Sequence, residues 1–172
     1  MYLKLIEGAC LFALSTAFGL MKSEKLKERT RMLGELKKMT VFLQGELRFH
    51  RSVLSEALES ISSRAAYPLD GFLKEVSEKL EKKEAGFEEV WTESVEKLFL
   101  KETLWKEDRS LFLMLGNSLG YLDVAMQLEH LNLVILQVEE SLKQAKEQQE
   151  IKGKLYRTMG AAAGAFFVLL II

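Results

Sequence analysis

Apolar residues recur along most of the chain at the three- and four-residue spacing of one helix face. Leu26, Leu33, Leu36, Leu43 and Leu47 form the first such stripe. Gly34 and Gly45 weaken that helix by about 1 kcal/mol each relative to alanine, so it needs packing partners. Arg51-Ser52 marks a break, with Ser52 placed to cap a second helix whose apolar face is Val53, Leu54, Ala57, Leu58, Ile61 and Ala65. Tyr67-Pro68 closes it and opens a third, because proline suits a first helical turn and disfavours helix just before it. Leu69, Phe72, Leu73, Val76 and Leu80 follow at helical spacing, and the polar run Glu81–Glu84 with Gly86 predicts a turn. Phe87, Val90, Trp91, Val95, Leu98 and Phe99 define a fourth helix. Leu104, Leu111, Leu115 and Leu119 define a fifth, ending near Gly116 and Gly120. In the sixth, Val124, Leu128, Leu131, Ile135, Val138, Leu142 and Ala145 alternate by four and three in a heptad seam. Such a seam suits a coiled coil in a free-standing helix. With five amphipathic neighbours available, it suits an antiparallel bundle better.

The two ends have a different pattern. Residues 8–21 and 158–172 carry no charged side chain. Leu5–Met21 would span roughly 26 Å as a helix, slightly short of a ~30 Å hydrocarbon core, and Leu155–Ile172 is one residue longer. Arg157 lies close enough to the boundary to snorkel, and Tyr156 stands where an interfacial aromatic is expected. The first segment could also be read as a cleaved signal peptide, but Lys22, Lys25, Lys27, Arg29 and Arg31 follow it in the manner of an uncleaved anchor. The second could be a buried core helix, yet it is apolar on every face. The basic flanks place the middle of the chain in the cytoplasm. The expected architecture is therefore all-α: an antiparallel six-helix cytoplasmic bundle over 22–154, flanked by N-terminal and C-terminal transmembrane helices at 1–21 and 155–172. Gly160 and Gly164 form a GxxxG with small residues between them. A dimer contact, packing against the first anchor and an incidental small patch all remain open for it.

Composition narrows the function. The 172-residue chain has a net charge of −1 and no long basic run, so nucleic acid is not an expected partner. Its single cysteine, Cys10, falls in the first apolar stretch and excludes an internal disulfide or a cysteine-based metal site. The two histidines, His50 and His130, are eighty residues apart, and no HExxH or phosphate-binding loop is present. The carboxylates Glu81, Glu84, Glu88, Glu89 and Glu93 are interleaved with lysines, as on a solvated helix face with i,i+4 pairing. Serines and threonines are scattered without a nucleophile elbow. No catalytic residue, metal ligand or cofactor is expected, and the chain does not read as an enzyme.

Some acidic residues interrupt apolar stretches. Glu46 adjoins the first stripe and Asp123 begins the sixth helix. Asp123 reads either as a charge favoured by the helix dipole, with Glu46 a surface acid, or the two read as part of a docking surface.

Three strings together resemble the stage III sporulation protein AB family of endospore-forming bacteria. They are Gly45-Glu46-Leu47 through Val53-Leu54-Ser55-Glu56-Ala57-Leu58, then Trp91-Thr92-Glu93-Ser94, then Gly116-Asn117-Ser118-Leu119-Gly120-Tyr121-Leu122-Asp123. The resemblance spans essentially the whole chain. It implies a component of the apparatus joining mother cell and forespore, related to the six-helix cytoplasmic domains of type II secretion platform protein F. It further implies a place in the mother-cell membrane, other membrane channel components as partners, and docking of a secretion-type ATPase. Glu46, Glu56 and Asp123 are the expected partner-facing residues. The alternative is a membrane-anchored dimeric scaffold or signalling protein, self-associating through the GxxxG and the heptad seam.

Overall fold

The computed structural model describes residues 2–49, 54–83, 85–101, 104–119 and 123–171. Six α-helices follow in order: α1 (Tyr2–Phe49), α2 (Leu54–Ser62), α3 (Leu69–Glu81), α4 (Phe87–Lys101), α5 (Arg109–Leu119) and α6 (Val124–Ile171), with one 3-10 turn at Lys106–Asp108 before α5. The protein is thus all-α with six helices. The six stripes read from the sequence fall on these six helices, except that Ala65 lies beyond α2 and Leu104 ahead of α5. The expected break and cap at Arg51-Ser52, together with Val53 and His50, lie outside the described residues.

The chain forms two compact units, one of Met1–Arg31 with Lys143–Ile172 and one of Met32–Leu142. α1 and α6 contribute to both. These limits differ from the expected 21/22 and 154/155 because the units follow packing, whereas the expected segments follow polarity.

In the Met32–Leu142 unit, Leu33, Leu36, Met39, Leu43 and Leu47 of α1 are buried, alternating by three and four. They meet Ala57, Leu58 and Ile61 of α2, Leu69, Phe72, Leu73 and Val76 of α3, Val90, Trp91, Val95 and Leu98 of α4, and Leu111, Phe112, Leu115 and Leu119 of α5 as one core. Each such side chain contributes about 1.5–3 kcal/mol relative to exposure. α1 and α6 run antiparallel here, with Lys37 paired to Glu139 at 2.7 Å and Gln44 Nε2 donating to Asn132 Oδ1 at 2.6 Å. On this part of α6 the buried apolar positions are Leu131, Val134 and Val138, while Val124 at the head of the expected seam is exposed. Partners on more than one side broaden the seam to take in Val134. α3 ends at Lys82 and Lys83, whose N–H groups bond to the Glu78 and Leu80 carbonyls. Lys83, not Gly86, adopts the left-handed backbone there (φ 52°).

In the other unit the start of α1 and the end of α6 lie side by side, also antiparallel. A Cβ at Gly8 would touch Val168 at 3.7 Å, and one at Gly164 would press on Phe12. Ser15 Oγ donates to the Gly160 carbonyl at 2.8 Å. Farther along, a Cβ at Gly19 would collide with the Tyr156 carbonyl, and Gly153 lies beside Ser23. The outward faces are apolar: Leu14, Phe18, Phe166, Leu169 and Leu170 are all more than half exposed.

No helix among the described residues is long and apolar enough to cross a membrane. The expected anchors at 1–21 and 155–172 are therefore found as the ends of two 48-residue helices rather than as separate spans. The uncharged run 8–21 rises only about 21 Å, and Glu7 and Lys22 bound it.

Candidate functional site

Two of the three sequence strings that carry the family resemblance meet in the core. Trp91 of α4 is 1% exposed, and its indole Nε1 donates to the Phe112 carbonyl of α5 at 2.8 Å. The ring lies flat against the α5 backbone at Gly116, where any Cβ would collide with it. Gly116 is thus inside α5, not at its end. Phe72 packs edge-on to Trp91 at 5.1 Å and to Phe112 at 6.2 Å, which fixes α3 against the same seam. The Trp-x-Glu-Ser and Gly-x-x-Leu-Gly strings therefore serve packing at these two positions.

Ser94, one turn beyond Trp91, is 3% exposed, and its hydroxyl has no hydrogen-bond partner among the described residues. It borders a small cleft of about 160 Å³ between α3 and α4, near Phe72, Glu75, Lys97 and Leu98. Helical spacing from Val90, Trp91 and Leu98 places this serine on the apolar face of α4.

A charged seam joins the same two helices. Lys97 Nζ donates to both Glu75 oxygens at 2.9 Å, while Lys79 reaches Glu75 at 3.4 Å and Glu93 at 3.2 Å. Partial burial pushes the Glu75 carboxyl up, but Lys97 and then Lys79 outweigh it and hold it below its ordinary value. Burial likewise pulls Lys79 down, and Glu93 and then Glu75 reverse this and raise it. The i,i+4 pairing expected for the interleaved charges occurs at Lys79–Glu75. Glu93, however, pairs across helices, because α3 and α4 present their polar edges to each other. Arg109 and Glu96 make a further inter-element pair.

The three expected partner-facing acids lie toward one end of the Met32–Leu142 unit. The antiparallel pairing of Gln44 with Asn132 sets Glu46, in the last turn of α1, level with His130, about two turns along α6 from Asp123 at its head. α2 begins a few residues after α1, with Glu56 exposed in its first turn. No hydrogen bond or ion pair joins the three among the described residues. Asp123 Oδ1 and Oδ2 accept from the Ala125 and Met126 amides at 3.4 and 3.3 Å, so this carboxylate caps α6. Glu56 sits where the dipole of α2 favours an acid. Glu46 is half-buried near the C-terminus of α1, where the dipole disfavours one, and no bond among the described residues accounts for it. Gly120, Tyr121 and Leu122 of the third string lie outside the described residues.

Gly160 and Gly164 face Ser15, Gly19 and Phe12 of α1. His130 is half-buried on α6. No group of three or more histidine, cysteine or acidic side chains among the described residues could hold a metal ion.

Comparison with known proteins gives a consistent result. Stage III sporulation protein AB of Bacillus subtilis (strain 168) is 24% identical to this chain over 170 residues, 99% of each. A solved structure of stage III sporulation protein AB (SpoIIIAB) superposes with a TM-score of 0.67 at 24% identity, over 72% of this chain and 98% of that one, which shows the shared fold. The pattern describing stage III sporulation protein AB matches residues 4–172, and with that match the chain belongs to the stage III sporulation protein AB family.

Proposed function

We propose that the protein is a non-enzymatic platform in the mother-cell membrane, with its helical body in the cytoplasm, which docks a secretion-type ATPase of the sporulation channel apparatus. The observation that carries this reading is the outward apolar surface of the paired helix ends. Leu14, Phe18, Phe166, Leu169 and Leu170 face away from the helix pair, on charge-free segments that meet Lys22 on α1 and Arg157 on α6. In water such a surface is costly and invites association, whereas lipid accepts it without loss. The pair is short for a full bilayer, which local thinning and snorkelling of Lys22 and Arg157 accommodate. Protease added to intact right-side-out spheroplasts should leave residues 32–142 uncut. Cleavage of that region from outside overturns the placement.

The partner-facing assignment rests most on Glu46, the acid without a local structural reason. Glu46→Lys and Glu56→Lys should lose ATPase co-purification with helicity kept and stability moved only by the helix dipoles, by about 0.3–1 kcal/mol, up for Glu46→Lys and down for Glu56→Lys. Asp123 is tested with Asn, which keeps an N-cap while removing the charge. Binding that survives all three substitutions removes these residues from the interface.

The alternative, a parallel dimeric scaffold, is opposed by the seam itself. Leu131, Val134 and Val138 are fully buried within their own chain, and Gly160 and Gly164 face α1. A parallel dimer would have to expose that core. Sedimentation of the detergent-solubilised chain separates a compact particle from an extended coiled coil.

A further inference from the structure

The register of the paired ends brings together basic residues that are about 130 positions apart in the sequence. Ser23 of α1 lies beside Gly153 of α6, and Gly19 beside the Tyr156 carbonyl. Lys22 and Lys25 on α1 therefore stand at the same level as Lys152, Lys154 and Arg157 on α6. All five are exposed. Lys22 leans toward the apolar margin, whereas Arg157 folds back one turn away from it. The Lys22 ammonium lies over the Phe18 ring, 5.6 Å from its centre, and Arg157 Nε donates to the Gly153 carbonyl at 3.2 Å. Lys25, Lys152 and Lys154 have no carboxylate partner among the described residues. Of the nearby acids, Glu24 is paired with Lys27 at 2.8 Å, which leaves Glu28 and Glu150 against the five cations. The result is a collar with excess positive charge around the base of an uncharged, outwardly apolar helix pair.

We infer that this collar is a binding surface for anionic phospholipid headgroups, and that the protein gathers them around its paired ends. The inference rests on the proposed anchoring, because the collar meets headgroups only if the apolar ends enter the hydrocarbon layer. Charge selects the occupant. A zwitterionic headgroup offers the five cations no net counter-charge, whereas each phosphodiester of an anionic lipid does. A basic side chain at the surface of an anionic membrane is favoured by about five-fold per charge, within a Debye length. The Lys22 ammonium lies against exposed Phe18 of the same helix, so one lipid can satisfy both, its tail along Phe18 or Leu14 and its phosphate at Lys22. A soluble anion would satisfy the charge alone.

The test uses the full-length chain in bilayers of equimolar phosphatidylcholine and phosphatidylglycerol, extracted into polymer-bounded discs, with the lipid classes in protein-containing and empty discs compared. Phosphatidylglycerol should be enriched several-fold around the wild type. Enrichment should vanish in Lys22→Gln/Lys25→Gln/Lys152→Gln/Lys154→Gln, persist in the corresponding arginine variant, and fall in high salt. Excess inorganic phosphate at constant ionic strength should leave it unchanged; loss of enrichment there would show a phosphate site rather than a lipid surface. Equal lipid ratios around wild type and glutamine variant overturn the collar while leaving anchoring intact. Failure of the wild type to enter pure phosphatidylcholine vesicles overturns anchoring itself.

Discussion

Gly116 and Trp91 hold each other in place, and neither position tolerates much change. A methyl at Gly116 must displace the indole that covers it, so Gly116→Ala should lower stability by about 1–3 kcal/mol in urea unfolding followed by circular dichroism. An unchanged midpoint would mean that α4 and α5 separate freely. Ser94 should respond in the opposite direction. Its buried hydroxyl lacks a partner, so Ser94→Ala removes an unsatisfied group and should raise stability by about 1 kcal/mol. Asp123→Ala should cost about 1 kcal/mol through the lost cap, most of which Asn restores. These roles were unequally legible. Aspartate ahead of an apolar helical run signals a cap by itself. A glycine within such a run reads as punctuation, and only the indole of a distant helix shows why Gly116 is there.

At the level of elements, periodicity carried the assignment. Six stripes gave six helices, because every helix has a buried face and the apolar positions had to follow it. Side-chain partners across helices were not readable in this way. The glutamates and lysines of α3 and α4 suit i,i+4 pairing equally well, and only the approach of the two helices selects Glu75 with Lys97 and Glu93 with Lys79. This seam predicts a pH dependence. Because the folded state holds Glu75 below its ordinary value of 4.5, the pairing stabilises fully above that pH and fades as pH falls through the lowered value. Wild type should therefore exceed Glu75→Gln by up to about 1 kcal/mol at neutral pH, and the two should converge in acid. Lys79, held above 10.5, loses its share only at strongly alkaline pH. Parallel stability curves for the two proteins from pH 7 to acid would show that the seam contributes nothing.

For the molecule as a whole, the sequence disclosed two apolar ends but not that they pair, because their contacts join residues some 140 positions apart. The GxxxG left several surfaces open, and within this chain Gly160 lies against Gly19 and Ser15. Gly160→Leu would wedge the two backbones apart, since a Cβ there already lies 2.9 Å from the Ser15 carbonyl. It should lower the calorimetric transition of the detergent-solubilised chain. Ala163→Leu, on an exposed position, should not. Equal behaviour of the two variants would remove the close crossing as a source of stability.

The position of Trp91 has a practical corollary. Both tryptophans, Trp91 and Trp105, belong to the Met32–Leu142 unit, and the paired ends contain only phenylalanine and tyrosine as aromatics. Native emission is therefore an optical gauge of one half of the protein. It should shift red when α4 and α5 part, and stay silent to events at the termini.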